Sequence, residues 1–354
     1  MTIKDLAAQT GYAVGTVSRV LNNHPNVSEK AREAILKAVE ESGFQLNVNA
    51  KQLKQTRMTS VLVIVKGTFN ELFSQMVVTI QTYIADTQYP LYVDYMDEDG
   101  NEVQRALQLC REKKPMGILF LGGNSDHFRS DFSQIDIPCV LVTNDASDLG
   151  FENLSSVCID DRNAARCAIE ALLDQGHRQI AVIGGDRVVS EISRLRFEGC
   201  MDAFSARGIG FDPEQDYQTV RYSYQDGYDA AQRLIAQGRK FTALFAAADV
   251  LAVGAIRALG EHGLHVPEDV SVMGFDGLSI GSFLVPQLST VRQPVTDMAL
   301  KSVEILIDCM ENGGSAYRQQ AGTYRTWGMG ASPLASLFLF WLFRFFCCGR
   351  PCCC

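Results

Sequence analysis

From Ser60 onward, apolar runs of strand length alternate with amphipathic stretches of helical length. The apolar runs are Val61–Val65, Leu91–Tyr95, Gly117–Leu121, Pro138–Val142, Ile180–Gly184, Thr219–Tyr222, Ala243–Ala247 and Val270–Phe275. The amphipathic stretches lie near residues 70–87, 101–113, 162–175, 191–207, 226–237, 250–262 and 295–311. This alternation is typical of the α/β class, in which helices cover a parallel sheet. Because the units are too many for one small sheet, the pattern predicts two similar lobes.

The residues before this region have a different pattern, in which three short helices are expected. Thr2-Ile3-Lys4-Asp5 has the form of a capping box, so the first helix should begin at Ile3 and end at Gly11. The second helix is expected at residues 15–22, and the third lies between a Ser28 cap and Gly43. Two short helices separated by a glycine-containing turn match the helix-turn-helix pattern. Residues 47–54 form a helix-capable segment too short to be stable alone, which fits a hinge.

The second of these helices has one apolar and one polar face. Val17, Val20 and Leu21 share the apolar face at helical spacing. The outward residues are Gly15, Thr16, Ser18, Arg19 and Asn22. Such a face suits the major groove, where arginine makes bidentate contacts to guanine. Taken alone, the same face also fits an ordinary solvated helix.

Charge is distributed unevenly along the chain. The net charge of −9 over 354 residues by itself argues against a nucleic-acid binder. Residues 1–57, however, hold eight Lys or Arg and five Asp or Glu, so this part carries +3 and the rest carries −12. A basic head on an acidic body fits a protein that touches phosphates at one end only. No secretory signal precedes the first helix, so we expect a cytoplasmic protein.

Residues 2–54 resemble the DNA-binding head of the LacI/GalR family of bacterial transcription regulators. The stretches that carry the resemblance are Thr2-Ile3-Lys4-Asp5-Leu6-Ala7, Gly11, Thr16-Val17-Ser18-Arg19-Val20-Leu21-Asn22, Val27-Ser28, Arg32 and Gly43-Phe44, continued by Asn47, Ala50 and Leu53. The resemblance implies that the second helix reads the major groove and that the hinge helices of a dimer enter the minor groove. The DNA contacts it implies are Val14, Gly15, Thr16, Ser18, Arg19, Asn22, Ser28, Asn47, Ala50 and Leu53.

Within this head, some positions depart from the family pattern or have a second interpretation. Ala13 stands where the family usually has a capping serine, so the second helix should begin less firmly. Gly15 stands where many members place a base-reading side chain. Leu46 replaces a common proline before the hinge. Leu53 would be the wedge that kinks the operator, but an ordinary core contact also explains a leucine there.

The remainder of the chain, to about residue 320, resembles the same family and, beyond it, the periplasmic sugar-binding proteins. The matching stretches are Gln175–Ile180, Ile183–Gly185, Arg196–Gly199, Gly254–Leu259 and Val266–Asp276. The implied fold has a head at 1–46, a hinge at 47–57 and a two-lobed effector domain. Its first lobe comprises 58–158 and 291–318, and its second lobe comprises 159–290. Three crossing strands are implied, with candidates at Ser156–Asp160 and Leu288–Gln293.

Five residues are candidates for binding an effector between the lobes. In open α/β sheets, ligands lie outside the carboxyl ends of the strands. Asp276 and Asp249 follow predicted strands, Arg196 lies in the helix after Gly184-Gly185, Tyr222 ends another strand, and Phe73 would wall the cleft from the first lobe. These groups could hold the hydroxyls or carboxylate of a small molecule, for which a sugar is the expected class.

Each effector candidate also has a structural interpretation. Asp249 could cap its helix, Asp276 could stabilise a turn, and Tyr222 could belong to the core. Arg196 could pair with Glu198 or Glu191 on the surface. Ala248 stands where family members commonly carry asparagine, which makes a typical sugar pattern less certain.

These observations predict a DNA-binding transcription regulator of the repressor type. A homodimer would place two heads on a pseudo-palindromic operator, and a small-molecule effector would control the affinity. No cofactor, metal site, membrane contact or enzymatic activity is expected, because no catalytic or metal-ligand spacing is present. The alternatives are a sugar-binding protein without DNA function and an enzyme on the same two-lobed scaffold.

The segment 321–354 does not fit the rest of the chain. No acidic residue follows Glu311, both tryptophans lie here, and five of the eleven cysteines occupy the last eight positions. The apolar run Leu337–Phe346 is too short to span a membrane, which needs ~17–25 residues. Palmitoylation or a zinc site is conceivable, although adjacent cysteines have poor chelate spacing. We expect no strand here and interpret the segment as a shifted reading frame or assembly error beginning near Ala321.

Overall fold

The computed structural model describes residues 3–21, 27–42, 60–67, 70–313 and 326–328. The chain divides into two compact units, residues 1–58 and residues 59–354. Each unit has its own hydrophobic core. Within the described ranges, no helix combines the length and the apolarity that crossing a bilayer requires.

The described residues of the first unit form three helices, as predicted. They are α1 (Ile3–Thr10), α2 (Val14–Leu21) and α3 (Glu29–Ser42). Gly11 adopts a φ of +72°, a conformation that glycine reaches without strain, and so allows the turn between α1 and α2. The core residues are Leu6, Ala7, Val17, Val20, Ile35 and Ala38. Ala34, which helical spacing places on the inner face of α3, is exposed, because a head this small covers only a narrow stripe of that helix.

The second unit begins with a five-stranded parallel sheet in the order β2-β1-β3-β4-β5. Its strands are β1 (Val61–Lys66), β2 (Leu91–Met96), β3 (Gly117–Leu121), β4 (Cys139–Val142) and β5 (Leu154–Val157). The helices between them are α4 (Glu71–Ala85), α5 (Glu102–Lys113) and α6 (Ser125–Asp131). The central strands β1 and β3 are almost fully buried because helices cover both faces of the sheet. We call this part lobe 1.

A second sheet follows in the order β11-β10-β9-β8-β6-β7. Its strands are β6 (Ile180–Gly184), β7 (Tyr217–Thr219), β8 (Ala243–Ala246), β9 (Ser271–Asp276), β10 (Ser289–Arg292) and β11 (Thr326–Gly328). The helices of this region are α7 (Asp161–Asp174), α8 (Glu191–Ala206), α9 (Pro213–Asp216), α10 (Tyr224–Ala236), α11 (Asp249–Glu261) and α12 (Ile280–Phe283). This sheet and its helices form lobe 2. The chain then returns to lobe 1, where α13 (Val295–Asn312) packs on α4 and on strands β3 to β5.

Most predicted strands agree with the structure to within a residue. β5 was not among the predicted runs and overlaps only the candidate crossing at Ser156–Asp160. Two more regions differ. The run Thr219–Tyr222 was predicted as a strand, but β7 lies at Tyr217–Thr219 because the chain then leaves the sheet toward the space between the lobes. The second region is the end of the chain. Its three-residue strand β11 pairs antiparallel with β10, so the expectation of no strand after residue 321 is wrong there. A strand this short has no periodicity to detect. Residues 329–354 lie outside the described part.

The lobe boundaries also shift slightly. β10 belongs to the lobe 2 sheet, paired with β9, so lobe 2 extends to Arg292 rather than to residue 290. Two crossings between the lobes lie within the described residues, at 158–160 and at 293–294. The hinge predicted at 47–57 lies outside the described residues.

Helices α10 and α11 approach each other closely where Gly227 of α10 meets Gly254 of α11. A Cβ on Gly254 would lie 2.6 Å from the backbone nitrogen of Tyr228 and 3.1 Å from the carbonyl carbon of Gly227. The variant Gly254→Ala is therefore expected to lose about 1–3 kcal/mol of unfolding free energy, the usual cost of overpacking. Gly260→Ala in the same helix is the matched control. Its Cβ would meet nothing within 4 Å, and alanine should stabilise the helix by up to about 1 kcal/mol. Equal effects of both substitutions in urea unfolding would contradict the close helix approach.

Candidate functional site

A cavity of about 1060 Å³ lies between the lobes, at the carboxyl ends of their strands. This volume is at the upper end of the ~300–1,000 Å³ typical of small-molecule sites. Four of the five predicted effector residues line it, namely Phe73, Arg196, Tyr222 and Asp276. The fifth, Asp249, is fully buried behind the cavity wall.

Arg196 is held by several groups and is only 7% exposed. Its Nε donates to Asp161 Oδ1 at 2.7 Å, and its Nη1 donates to the carbonyl of Ala247 at 2.6 Å. Nη1 also lies 3.9 Å from Asp276 Oδ1, and the guanidinium carbon stacks 3.7 Å from the centre of the Phe275 ring. The predicted surface pairing with Glu191 or Glu198 is wrong for Arg196, because its side chain points inward. A fixed guanidinium of this kind can present its remaining N–H groups to a ligand.

Asp276 and Asp249 are buried carboxylates whose charges affect one another. Asp276 Oδ1 accepts from Gln293 Nε2 at 2.8 Å, and burial raises the pKa of Asp276 to about 7, with the charge of Asp249 adding to the shift. Burial likewise raises the pKa of Asp249 to about 6. Asp276 also has a φ of +117°, which is strained for a residue with a side chain. Strain and an unfavourable charge at one residue are typical of a functional site.

The structural interpretation of Asp249 as a helix cap is wrong. The residue before it, Ala248, occupies the cap position of α11, and no side chain caps that end. The Asp249 carboxylate instead accepts from the backbone N–H of Leu278 and from the Thr290 hydroxyl, both at 2.6 Å. It thereby ties the start of α11 to β10 and to the loop after β9.

The aromatic candidates lie on opposite lobes. Tyr222 is half-buried, and its hydroxyl lies 2.9 Å from Ser193 Oγ. Burial raises the pKa of this phenol, so it stays neutral and can both donate and accept. Phe73, in the first turn of α4, is 6% exposed and packs against Gly122. Together they give each side of the cavity one aromatic wall.

Direct contacts between the lobes close the rim of the cavity. Arg221 of lobe 2 pairs with Asp97, Glu98 and Asp99 of lobe 1, with 2.9 Å to Asp97 and 2.8 Å to Asp99. On another part of the rim, the Ser125 hydroxyl donates to Glu191 at 2.6 Å. The structure therefore has the two lobes in contact around the cavity.

Sequence reasoning missed three ionisable residues of lobe 1. Lys66 and His127 line the cavity, and Glu102 lies buried behind them. His127 and Glu102 are 25 positions apart, and Lys66 and Glu102 are 36 apart. No local spacing signals such a group; only the sheet order, which places β1 beside β3, brings the three together.

The candidate DNA contacts that fall within the described residues lie on α2 and at the start of α3. Val14 is 45% exposed, Gly15, Arg19 and Ser28 are exposed, and Thr16 and Ser18 are half-buried. Val17 and Val20 are buried, as the apolar face predicts. Asn22, Asn47, Ala50 and Leu53 lie outside the described residues. The described face of α2 thus presents polar groups and one guanidinium to the surroundings.

Among the described residues, no group of three or more His, Cys, Asp or Glu side chains is arranged to hold a metal ion. Asp161 and Asp276 instead lie beside the guanidinium of Arg196, and Asp249 accepts hydrogen bonds from Leu278 and Thr290. These buried carboxylates are therefore held by hydrogen bonds and by the charge of Arg196.

Two family models match the chain. The model for bacterial regulatory proteins of the lacI family matches residues 2–47, and the model for a periplasmic binding protein-like domain matches residues 169–325. The HTH-type transcriptional regulator MalR of Clostridium butyricum is 34% identical over 317 residues, which cover 89% of this chain and 94% of that protein. The ribose operon repressor of Haemophilus influenzae is 30% identical over 320 residues, covering 90% and 94%. These relatives are named as regulators, not as enzymes.

Solved structures agree with these matches. The complex of the transcriptional regulator CelR with cellobiose has a TM-score of 0.64 at 25% identity, covering 90% of this chain and 96% of that chain. The Lac repressor bound to ONPG in its repressed state has a TM-score of 0.70 at 25% identity, with the same coverage. The likeness therefore extends over the three-helix unit and both lobes.

Proposed function

Because the chain belongs to the LacI family of bacterial regulatory proteins, and so is a transcription regulator, we propose that a sugar bound between its lobes controls how tightly a homodimer grips a pseudo-palindromic operator. The observation that carries the proposal is the cavity, in which a fixed guanidinium, a strained carboxylate and two aromatic side chains face one space. Such a mixture of donors, acceptors and apolar walls suits a polyhydroxylated ring. The matching structure of CelR holds cellobiose, and a cavity of about 1060 Å³ has room for a ligand of that size.

In this proposal Phe73, Arg196, Tyr222 and Asp276 contact the effector. Asp249 acts as a positioning residue, because it joins α11 to β10 and does not reach the cavity. A ligand held by both lobes changes their relative pose and favours one of two states of the regulator. It can do so only by its difference in affinity for the two, typically about 1–3 kcal/mol.

The DNA contacts proposed are Val14, Gly15, Thr16, Ser18, Arg19, Asn22, Ser28, Asn47, Ala50 and Leu53. Arg19 is the leading base-reading residue, since an exposed guanidinium on α2 can form a bidentate contact to guanine. Binding takes place in the cytoplasm, where the chromosomal DNA of a bacterium lies.

A homodimer follows from the proposed symmetry of the operator and fits the surface of lobe 1. Strand β2 lies at the edge of its sheet, and Tyr92 and Tyr95 on it are 45% and 47% exposed. Val78 on α4 is 62% exposed. Aromatic side chains are enriched at protein–protein interfaces, and a second copy of the chain would cover this edge.

Substitution of Arg19 tests the proposed reading of DNA. A preferred duplex is first selected from a palindromic library with the full-length protein. Arg19→Ala is then expected to weaken binding to that duplex by about 1–3 kcal/mol and to relax the preference at one base pair of each half-site. Mobility shifts on a set of single-base variants measure both effects.

The matched control is Arg111→Ala, which removes the same charge from an exposed position at the end of α5. This change should leave operator affinity within twofold. An equal loss on every duplex would make Arg19 a phosphate contact, and a wild-type protein with no salt-sensitive preference for any duplex would contradict the proposed operator binding.

A further inference from the structure

The lobe 1 wall of the cavity carries an ion-paired group that the proposed effector contacts do not include. Lys66 ends β1, His127 lies in α6, and both line the cavity. Glu102, the first residue of α5, is fully buried behind them. Lys66 Nζ donates to Glu102 Oε2, and His127 Nδ1 lies 2.9 Å from the same oxygen. The backbone N–H of Asn124 donates to Glu102 Oε1 at 2.6 Å.

This arrangement fixes which atoms face the ligand. The carboxylate of Glu102 is occupied from three sides and does not reach the cavity. Within the described residues, Lys66 Nζ and His127 Nε2 have no other hydrogen-bond partner. The ammonium therefore has two N–H groups to offer. In the tautomer whose proton is on Nδ1 and faces the Glu102 carboxylate, His127 Nε2 is an acceptor. A donor beside an acceptor is the pair that a hydroxyl group satisfies.

The aromatic ring of Phe73 lies near Lys66. A Cβ on Gly122 would come within 3.0 Å of the Phe73 ring and within 3.5 Å of the Lys66 Cβ. The Phe73 ring and the aliphatic part of Lys66 therefore lie on either side of Gly122. Because glycine has no side chain, the space between them stays accessible from the cavity. An apolar ring next to hydroxyl-binding groups fits one face of a pyranose or furanose.

The charges of this wall decide between neutral and anionic sugars. The negative charge of Glu102 neutralises the positive charge of Lys66, so the Lys66–Glu102 ion pair has no net charge that would attract a phosphate or carboxylate. An anionic group on Lys66 would also lie close to a buried carboxylate, where like charges repel strongly. We infer that Lys66 and His127 form a subsite for uncharged sugar hydroxyls, with Glu102 as the positioning residue that makes the site reject sugar phosphates and sugar acids. This inference rests on the proposed sugar effector.

Calorimetric titration of the full-length protein tests the inference. The neutral probes are glucose, ribose, maltose and cellobiose, and the anionic probes are glucose 6-phosphate, ribose 5-phosphate and glucuronate. Wild type should bind a neutral probe more tightly than any anionic one. Lys66→Met and His127→Phe should each weaken that binding about tenfold or more, the usual effect of losing a charge-assisted or buried hydrogen bond.

The variant Glu102→Gln separates positioning from a merely structural role. Because it removes the repelling charge and leaves the Lys66 cation, it should lower the preference for neutral over anionic probes by about tenfold or more. Glu112→Gln, an exposed position in the same helix, should leave the preference unchanged. The double variant Lys66→Met/Glu102→Gln buries no unpaired charge, so it should fold even if the single variants do not, and it should have lost the affinity for the neutral probe.

The outcomes are distinct. If wild type prefers an anionic probe, or if Glu102→Gln weakens both classes equally, the subsite assignment is overturned while the sugar effector stands. If the folded double variant binds the neutral probe as well as wild type, the assignment is likewise overturned. If wild type binds none of the seven probes, the proposed sugar effector fails and the subsite fails with it.

Discussion

Replacing Arg196 with methionine is expected to lower the free energy of unfolding by about 3–5 kcal/mol, the cost of leaving a buried ionic partner without its counter-ion. The reason lies in the contacts of the guanidinium, which pairs with Asp161 and neighbours Asp276. Both carboxylates are nearly inaccessible to water, so solvent cannot replace the lost cation. The hydrogen bond to the carbonyl of Ala247 is lost as well. Methionine keeps most of the volume, so the loss reports on charge and hydrogen bonding more than on packing.

Arg194→Met is the matched control for this experiment. Arg194 lies two residues earlier in α8, is about half exposed, and pairs with Glu191 and Glu198. Exposed pairs of this kind contribute about 0–1 kcal/mol, so this variant should unfold close to wild type in urea. Equal losses in the two variants would contradict the buried charge cluster. If Arg196→Met is too unstable to purify, the double variant Arg196→Met/Asp161→Asn takes its place. It should recover part of the lost stability, because it no longer buries the Asp161 charge, but it should still unfold at lower urea than Arg194→Met.

The two-lobed fold was predictable because its signals are local. Each buried strand of a parallel sheet is a continuous apolar run, and Gly117–Leu121 and Ile180–Gly184 were located from that property alone. The edge strand β7 was misplaced because it is only three residues long and its burial ends before the apolar run does. The helices of the head were found from capping residues and 3.6-residue spacing, which also depend on sequence neighbours.

The site was predictable only in part, for the opposite reason. Asp276 ends β9 and Tyr222 lies three residues after β7, so both were predicted near the carboxyl ends of strands and both line the cavity, although β7 itself was misplaced. Arg196 was also identified, but its partner Asp161 lies 35 residues away and could not be inferred from local spacing. The glutamates that were considered for Arg196 are instead partners of Arg194, which lies on the exposed side of the same helix. Asp249 was placed at the right strand end, but its partner Thr290 lies 41 positions away on β10 and could not be inferred from local spacing.

Asp276→Asn is expected to stabilise the protein at pH 8 and to remove the part of its pH dependence between pH 4 and 7 that Asp276 contributes, while the part due to the raised pKa of Asp249 remains. The folded-state pKa of Asp276 is raised from 3.8 to about 7, mainly by burial. Below pH 4 the carboxyl is protonated in both states, so its contribution to stability is fully present. As the pH rises toward 7, the unfolded chain releases this proton while the folded chain retains it, and stability falls. A shift of this size corresponds to about 4 kcal/mol at pH 8, which the neutral asparagine avoids.

Urea unfolding at a series of pH values measures this difference, and Asp202→Asn provides a control of opposite sign. The hydrogen bond from Arg162 lowers the pKa of Asp202 on the surface of α8, so that carboxylate contributes stability above pH 4 that is lost on acidification. Asp202→Asn should therefore be the less stable protein at pH 8. A pH profile of Asp276→Asn that parallels wild type would show that Asp276 is not the residue whose charge opposes folding.

The same variant links stability to ligand binding. Asparagine can still accept the hydrogen bond from Gln293, so the local fold has no reason to change. If the sugar proposal holds, the substitution removes a charged acceptor from the cavity wall and should weaken the best-binding neutral sugar by about tenfold or more. Higher stability together with weaker sugar binding would explain why an aspartate occupies this position. It is held at a φ of +117° and is buried near two other carboxylates, so it costs stability but serves binding. Stabilisation with unchanged sugar affinity would instead remove Asp276 from the proposed contacts while leaving its effect on folding intact.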